Sequence, residues 1–427
     1  MNSLNKDQYL KILKSQLNKL NFVPEDKFDS VVESLSDFDV IGFDIDFTLL
    51  EYNKKNMIKL MYESISKYLI IHKNYPKKIK YQYNKDFVQS LSKKGFLIDI
   101  QNGNCLQIMG DKSITKCYHG KKEYAKNEIN RIYENGKYYL FKKSNTLINE
   151  SFYLIIDNFH SQNLSLFMIC VDLFDKNELK GTSTNSYRDI INHIIEGMNY
   201  SFGIKPFEDC SNFGYIFPEI KKHPELYLQK NNIEQLLIKL KEKQKKLFFA
   251  TNSNYSYSNF ILEKIIGSDY DKYFDLCFYK SSKPSFFEEE KISNSKCFFL
   301  DETFFSCGEL NEEEINRIRS GNENKKLSGG SYYLVEKYYE KVLNKNKKEI
   351  KYLFVGDNIL SDCRAPSKIE GWSSIFIYDD IDLKYVEESD NEDNNNNNYS
   401  AILAPYFEEG DCKLAFPNIN GLNYLID

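Results

Sequence analysis

Short apolar runs alternate with amphipathic stretches from about residue 205 onward. The apolar residues at 233, 236, 237 and 240 recur with helical spacing, whereas KLFFA at 246–250 is typical of a buried strand. Strands that alternate with helices form parallel sheets through right-handed crossovers, so this pattern predicts an α/β domain. The predicted elements are strands at 40–43, 246–250, 274–279 and 352–355, and helices at 233–240, 260–266 and 332–343.

The stretch between about 80 and 200 has a different pattern. Asn102-Gly103 separates two apolar runs, which is a strong hairpin signal. We therefore expect a Rossmann-like parallel-sheet core at 36–78 and 205–427, interrupted by an inserted α+β cap domain at 79–204. The elements predicted in the insertion are strands at 96–100, 105–109 and 115–118, a turn at 135–136 before 137–141, and helices at 147–159 and 187–198.

Two segments stand apart from this alternation. Residues 1–35 are predicted to be an N-terminal helical segment, because the leucines at 10, 13, 17 and 20 share one face. Its lysines are compatible with a mitochondrial transit helix. The absence of Arg from its first twenty residues favours a packed surface helix instead. Near 387–400 the chain is rich in Asn and acidic residues, which predicts a disordered loop.

The overall composition narrows the classes of function. Lys+Arg number 57 and Asp+Glu 62, a net charge of −5 that argues against a nucleic-acid partner. No apolar run has the length to cross a membrane. The 9 cysteines are scattered without a CxxC pair, which argues against a disulfide scaffold or zinc and favours a reducing compartment. We therefore expect a cytoplasmic protein. A homo-oligomer stays an open alternative to a monomer.

Acidic residues follow two of the predicted strands. Asp44 and Asp46 come directly after the first, in VIGFDIDFTL, and in an extended segment their side chains point to one side. One can then attack while the other moves a proton; the alternative is a solvated turn. Asp357 and Asp362 follow the strand at 352–355, after Gly356, where helix capping is the alternative. Their oxygens, together with those of Asp44 and Asp46, suit Mg²⁺.

Polar and basic residues follow two other predicted strands. Thr251, Asn252 and Ser253 come after 246–250 and offer hydrogen bonds to phosphoryl oxygens, although simple helix capping is an alternative. Lys283, followed by Pro284, can offset phosphoryl charge, although most lysines of this chain are expected to be solvated. Ligands bind at the carboxyl ends of strands in open α/β sheets, where all these residues are expected.

The ordered set DxDxT, strand-end Thr, Lys and GDxxxxD resembles the haloacid dehalogenase-like phosphatase superfamily. The resemblance implies that Asp44 is the nucleophile that forms an aspartyl-phosphate and that Asp46 is the general acid and base. It implies phosphate binding by Thr251, Asn252 and Lys283. It also implies Mg²⁺ held by Asp44, the main-chain carbonyl of Asp46 and Asp357, with Asp362 nearby as a further metal residue.

A narrower resemblance, to the cytosolic 5′-nucleotidase family, covers most of the chain and is nearest to its domain-containing protein 1 group. That family removes the 5′-phosphate of nucleoside monophosphates. Its purine-specific member has Arg and Asp in a DVRDAVD segment, which aligns with DIINHII at 189–195, where both positions are apolar. The segments that carry the resemblance are 43–49 with Tyr52, 95–99 with 103–104, 119–120, 217–220, 251–253, 283–287 and 371–372.

The sequence therefore predicts a Mg²⁺-dependent phosphomonoester hydrolase, most specifically a 5′-nucleotidase whose small-molecule substrate is a nucleoside 5′-monophosphate. Two alternatives stay open. One is a non-catalytic protein of the same fold that binds a partner. The other is an enzyme that transfers the phosphoryl group or acts on a non-nucleotide phosphomonoester, since hydrolysis and transfer share Asp44.

Overall fold

The computed structural model describes residues 11, 35–83, 90–109, 111–141, 147–203, 214–289, 296–300, 304–306, 311–378, 414–416, 419 and 422. The predicted Asn-rich loop at 387–400 lies outside them, as does the N-terminal segment 1–35 apart from its residues 11 and 35. The described residues form two compact units, of which the first lies within 1–51, 228–380 and 407–427 and the second within Tyr52–Tyr227.

Sixteen strands occur within the described residues. In chain order they are β1 Val40–Phe43, β2 Glu51–Tyr52, β3 Phe96–Asp99, β4 Asn104–Ile108, β5 Ile114–His119, β6 Lys122–Glu123, β7 Phe152–Ile155, β8 Leu228–Gln229, β9 Lys246–Ala250, β10 Leu276–Tyr279, β11 Lys296–Phe299, β12 Phe304–Ser306, β13 Lys326–Gly329, β14 Tyr352–Gly356, β15 Trp372–Ile377 and β16 Leu414–Phe416.

The described helices include eleven α-helices and several short 3₁₀ turns. The α-helices are α1 Lys54–His72, α2 Lys126–Ile132, α3 Ser161–Asp175, α4 Tyr187–Phe202, α5 Ile216–Lys222, α6 Pro224–Tyr227, α7 Ile233–Glu242, α8 Tyr255–Ile265, α9 Glu312–Arg319, α10 Tyr332–Leu343 and α11 Ala365–Ser367. The 3₁₀ turns are Leu35–Asp37, Lys77–Gln82, Glu134–Gly136, Tyr270–Tyr273, Ser285–Phe287, Asn322–Lys325 and Lys347–Glu349, and a π-helix spans Ile359–Arg364.

A nine-stranded sheet forms the first unit, in the order β12-β11-β13-β10-β9-β1-β14-β15-β16. Seven neighbouring strands, β13-β10-β9-β1-β14-β15-β16, run parallel to one another. At one edge β11 pairs antiparallel with β13, and β12 pairs antiparallel with β11. This is the predicted α/β class with a Rossmann-like parallel sheet. The predicted strands 40–43, 246–250, 274–279 and 352–355 are confirmed as β1, β9, β10 and β14.

β1 lies between β9 and β14, and all four of its residues are buried. Such burial requires a continuous apolar run, which the sequence VIGF supplies. Gly42 is required by packing, because a Cβ at this position would lie 2.2 Å from the Phe248 ring of β9. The absence of a side chain at 42 thus leaves room for an aromatic ring beneath the strand that leads to Asp44.

The second unit contains a five-stranded sheet in the order β6-β5-β4-β3-β7, with every pairing antiparallel. Its core includes Ile65 of α1, Phe167 of α3 and Ile194 of α4. The predicted hairpin at Asn102-Gly103 is confirmed as β3 and β4, with Gly103 at φ +68°. The third predicted strand is confirmed as β5.

The helix predicted at 147–159 is wrong. Phe152–Ile155 form the strand β7, which pairs with β3, and the helix α3 begins only at Ser161. All four residues of β7 are buried, so no polar face marks a period along them. A short run of aromatic and branched residues of this kind fits a buried strand and a buried helix equally well by periodicity.

The second unit spans Tyr52–Tyr227, a range that includes the 79–204 predicted for the inserted cap domain. It takes in α1, whose residues Tyr62, Ile65 and Leu69 pack in the same core as α3 and α4. On its other side it extends through α5 and α6 to Tyr227.

No described helix has both the length and the apolar character that crossing a membrane requires.

We expect Gly42→Ala to lower the free energy of unfolding of the protein by about 1–3 kcal/mol, since the added methyl group overlaps the Phe248 ring. Urea denaturation followed by circular dichroism measures the change. Adding Phe248→Leu shortens the opposing side chain, so the double variant should be more stable than Gly42→Ala alone. A further loss of stability in the double variant would contradict this packing argument.

Candidate active site

The side chains predicted to carry chemistry lie at one edge of the nine-stranded sheet. Asp44 directly follows β1, Thr251 follows β9 and Asp357 follows β14, while Lys283 lies in the segment after β10. These four strands are parallel neighbours in the order β10-β9-β1-β14, so their carboxyl ends share that edge. The Asp44 amide, which donates to the Val355 carbonyl at 2.8 Å, continues the β1–β14 pairing up to the site.

Lys283 joins two of the predicted carboxylates. Its Nζ lies 2.9 Å from Asp44 Oδ1 and 2.7 Å from Asp362 Oδ1. The ammonium also lies over the Phe354 ring, 5.0 Å from its centroid. All three charged side chains are buried, with relative exposures of 7% for Lys283, 8% for Asp44 and 0% for Asp362. Charges held this far from water persist only when they are paired, which these contacts provide.

Burial and neighbouring charges shift the pKa values of Asp44 and Lys283. Burial raises the pKa of Asp44 to about 7; Lys283 lowers it, and the carboxylates of Asp362 and Asp46 raise it. For Lys283, burial alone would lower the pKa, but the attraction of Asp362 and Asp44 outweighs burial and raises it. Lys283 therefore stays charged, whereas the Asp44 carboxyl group loses its proton near neutral pH.

Asp44, Asp357 and Asp362 form a cluster of carboxylates. Each offers one oxygen, and these oxygens all lie within 4.8 Å of one another. One ammonium beside three carboxylates leaves excess negative charge, which a divalent cation offsets. Carboxylate oxygens are the ligands that Mg²⁺ prefers, so the donor set fits that ion.

The position of Asp362 depends on the segment that follows β14. Its Oδ1 accepts from Lys283 and Ser361, and its Oδ2 accepts from the Asn358 amide at 3.1 Å. Gly356 makes this approach possible, because a Cβ there would lie 2.4 Å from the Asp362 carboxylate. Asn358 caps the π-helix, its Oδ1 accepting from the amides of Leu360 and Ser361. The helix capping that the sequence left as an alternative for Asp362 is thus performed by Asn358.

Asp46 is also buried, and its Oδ2 accepts a hydrogen bond from Ser253 Oγ at 2.8 Å. Phe47, the next residue, adopts the left-handed region at φ +56°, so the chain turns directly after Asp46. Helix capping, the alternative for this segment, is performed by Asn254, whose Oδ1 accepts from the Tyr257 amide at 2.9 Å. The hydroxyl of Ser253 instead orients the second carboxylate of the DxD motif.

Thr251 and Asn252 make different contacts. Thr251 is 1% exposed, and its Oγ1 accepts from the Ser253 amide at 3.1 Å. The Asn252 carboxamide bonds to both main-chain groups of Lys283, with Oδ1 accepting from the amide at 2.6 Å and Nδ2 donating to the carbonyl at 3.0 Å. The contacts of Ser253 and Asn252 were not foreseen, because the sequence does not show which loops meet.

The profile of the 5′ nucleotidase family matches residues 32–403. The chain belongs to this family. Membership makes it an enzyme of the phosphatase class that hydrolyses phosphoric monoesters. It is similar to 5′-nucleotidase domain-containing protein 1 from Homo sapiens, at 25% identity over 351 residues that cover 82% of this chain and 73% of that protein.

Two further relatives agree with this membership. The protein of the same name from Bos taurus is 24% identical over 82% of this chain and 74% of its own length. 5′-Nucleotidase domain-containing protein 2 from Homo sapiens is 24% identical over 79% of this chain and 60% of its own length. The match to the family profile spans residues of both compact units.

The raised pKa of Asp44 predicts how stability changes with pH. The folded-state value of about 7 lies above the unfolded value of 3.8, so the stability that the protonated group contributes is lost as pH rises through this interval. In chelator-treated protein, Asp44→Asn should therefore match the wild type near pH 4 and exceed its free energy of unfolding near pH 8. Urea titrations at a series of pH values test this.

Asp39, just before β1, provides a control of opposite sign. Burial alone would raise its pKa, but hydrogen bonds from the Lys345 ammonium and the Lys351 amide lower it. Its stabilising contribution is present above the unfolded value of 3.8 and is lost as pH falls, so Asp39→Asn should be less stable than the wild type near pH 8. An Asp44→Asn variant that behaved like Asp39→Asn would contradict the assigned shift.

Proposed function

We propose that this protein is a Mg²⁺-dependent 5′-nucleotidase that hydrolyses nucleoside 5′-monophosphates through an aspartyl-phosphate on Asp44. The observation that carries the proposal is the buried Lys283 ammonium, which contacts Asp44 at 2.9 Å and Asp362 at 2.7 Å, beside Asp357. The family membership supports the reaction class, and the residues at this edge of the sheet supply the groups that the reaction needs.

In the first step, a carboxylate oxygen of Asp44 attacks phosphorus and the bond between phosphorus and the ester oxygen breaks. Asp46 donates a proton to that leaving oxygen, so the nucleoside departs as a neutral alcohol. Ser253, which donates to Asp46 Oδ2, holds this carboxyl group in one orientation. The pKa of Asp44, raised by burial to about 7, leaves a substantial ionised fraction at neutral pH.

In the second step, water attacks the phosphorus of the aspartyl-phosphate while Asp46 accepts a proton from that water. The bond between phosphorus and the Asp44 oxygen breaks, which releases inorganic phosphate and regenerates the carboxylate. Lys283 neutralises charge on the phosphoryl oxygens in both steps. The Thr251 hydroxyl, whose Oγ1 accepts from the Ser253 amide, is the proposed donor to a phosphoryl oxygen.

Mg²⁺, when bound, would reduce the repulsion between the Asp44 carboxylate and the anionic substrate. Asp44, Asp357 and the main-chain carbonyl of Asp46 are the proposed ligands. Asp362 belongs to the same cluster, but its oxygens accept hydrogen bonds from Lys283 and the Asn358 amide. We therefore assign Asp362 mainly to holding Lys283 and to adding negative charge beside the ion.

The proposal does not extend to purine selectivity. Ile191 and Ile195 occupy the positions of the Arg and Asp in the purine-specific pattern. Ile191 is fully buried in the core of the inserted unit, and Ile195 packs against that core. Neither side chain has a polar group to recognise a base, so we expect a substrate preference different from that of the purine-specific enzyme.

The test is release of phosphate from a panel of nucleoside 5′- and 3′-monophosphates and sugar phosphates, with Mg²⁺ or with chelator. We expect activity on 5′-monophosphates that requires the metal. Asp44→Asn should lower kcat/KM by on the order of 10⁴-fold, since covalent catalysis then lacks its nucleophile. Asp39→Asn, at the other end of β1, is the matched control and should retain wild-type rates.

The possible results distinguish between the functions that the sequence left open. Metal-independent background release that is equal for wild type and Asp44→Asn would contradict the enzyme proposal and favour a binding protein. Activity confined to sugar phosphates would keep the role of Asp44 and reject a nucleotide substrate. Phosphoryl transfer to an added nucleoside in place of phosphate release would identify a transferase.

A further inference from the structure

Two loops meet at the carboxyl edge of the sheet, one after β9 and one after β10. The Lys280 amide donates to the Ser253 carbonyl and the Ser281 amide donates to the Thr251 carbonyl, each at 2.9 Å. These two bonds hold the loops side by side over their first residues. Lys283 lies two residues after Ser281, beyond both bonds. Other contacts must therefore hold its main-chain groups in place.

Asn252 is the residue that holds them. Its Oδ1 accepts from the Lys283 amide at 2.6 Å and its Nδ2 donates to the Lys283 carbonyl at 3.0 Å. A carboxamide has an acceptor and a donor arranged like those of a peptide group, so it can pair with both main-chain groups of one residue. Within the described part of the chain, no other hydrogen bond of these two Lys283 groups is found.

The bonding capacity of Asn252 is nearly filled by this arrangement. Ser281 Oγ also donates to Asn252 Oδ1, at 3.3 Å, so the oxygen accepts two hydrogen bonds. A carboxamide oxygen has two lone pairs and its nitrogen has two hydrogens, so one N–H is left over. Three of the four possible bonds therefore go to the loop that bears Lys283.

The loop also adopts conformations that need external support. Lys280 and Ser282 have φ values of +48° and +59°, in the left-handed region that is unfavourable for residues with a side chain. Such conformations persist where surrounding contacts determine them. The Asn252 bonds span the residue next to Ser282 and so supply part of that determination.

We infer that Asn252 is a positioning residue, which fixes the main chain of Lys283 so that its ammonium reaches both Asp44 and Asp362. The inference rests on the proposed function for its catalytic consequence, but the contact itself can be tested without activity. It revises the sequence-based prediction that Asn252 binds phosphate, because most of its hydrogen-bonding capacity is already directed at the loop.

The first measurement is amide hydrogen exchange of Lys283 in protein labelled with ¹⁵N-lysine. Asn252→Ala should accelerate exchange of the Lys283 amide, which then lacks its acceptor, and leave the protected β9 amide of Lys246 unchanged. Asn254→Ala is the matched control, since Asn254 lies two residues away and its side chain caps α8. Unchanged exchange of Lys283 in Asn252→Ala, or equal acceleration at Lys246, would overturn the inference.

The second measurement is a double-mutant cycle on kcat/KM with p-nitrophenyl phosphate, using Asn252→Ala, Lys283→Met and the two combined. If Asn252 acts through Lys283, the double variant should be no slower than Lys283→Met alone, within about twofold. Independent losses that multiply in the double variant would show a direct contact of Asn252 with the phosphoryl group and overturn the inference.

The two measurements separate the failure of this inference from failure of the proposed function. A wild-type protein that releases no phosphate from any substrate would reject the proposed function, and the exchange of the Lys283 amide would then decide the inference alone. Activity with an undisturbed Lys283 amide in Asn252→Ala would reject the inference and leave the proposed function standing.

Discussion

The buried contact of the Lys283 ammonium with Asp44 and Asp362 is the constraint on which the candidate site depends. A carboxylate or an ammonium taken out of water is strongly destabilising unless it is paired. Here one cation lies 2.9 Å from one carboxylate and 2.7 Å from another, while Asp357 adds a third acidic group to the cluster. The cluster therefore carries more negative than positive charge, which favours the binding of a divalent cation.

The sheet explains how residues that are far apart in the sequence reach this contact. Four parallel neighbours, β10, β9, β1 and β14, place their carboxyl ends at one edge, and each contributes a residue from the segment that follows it. Close packing at that edge and beneath it depends on two glycines. Gly42 makes room for the Phe248 ring beneath β1, and Gly356 makes room for the Asp362 carboxylate. Rigid strands and small residues therefore set distances that the loops alone would leave variable.

Much of this arrangement was predictable from the sequence, for definite reasons. Fully buried strands such as β1 and β14 are continuous apolar runs, and the residues that end them are the first polar groups at the sheet edge. The strand β7 was mistaken for a helix because Phe152–Ile155 offer no polar face to reveal a period. The bonds from Ser253 to Asp46 and from Asn252 to Lys283 join positions 207 and 31 residues apart, and a single sequence carries no signal for such pairings.

A crystal structure with Mg²⁺ and beryllium trifluoride tests the central claim most directly, because this anion mimics a phosphoryl group bonded to an aspartate. Beryllium should be bonded to an Asp44 carboxylate oxygen, with fluorine atoms beside Lys283 Nζ and Thr251 Oγ1. The Mg²⁺ ion should lie against Asp44 and Asp357. Beryllium bonded to another residue, or a metal ion bound away from the Asp44–Asp357–Asp362 cluster, would contradict the account.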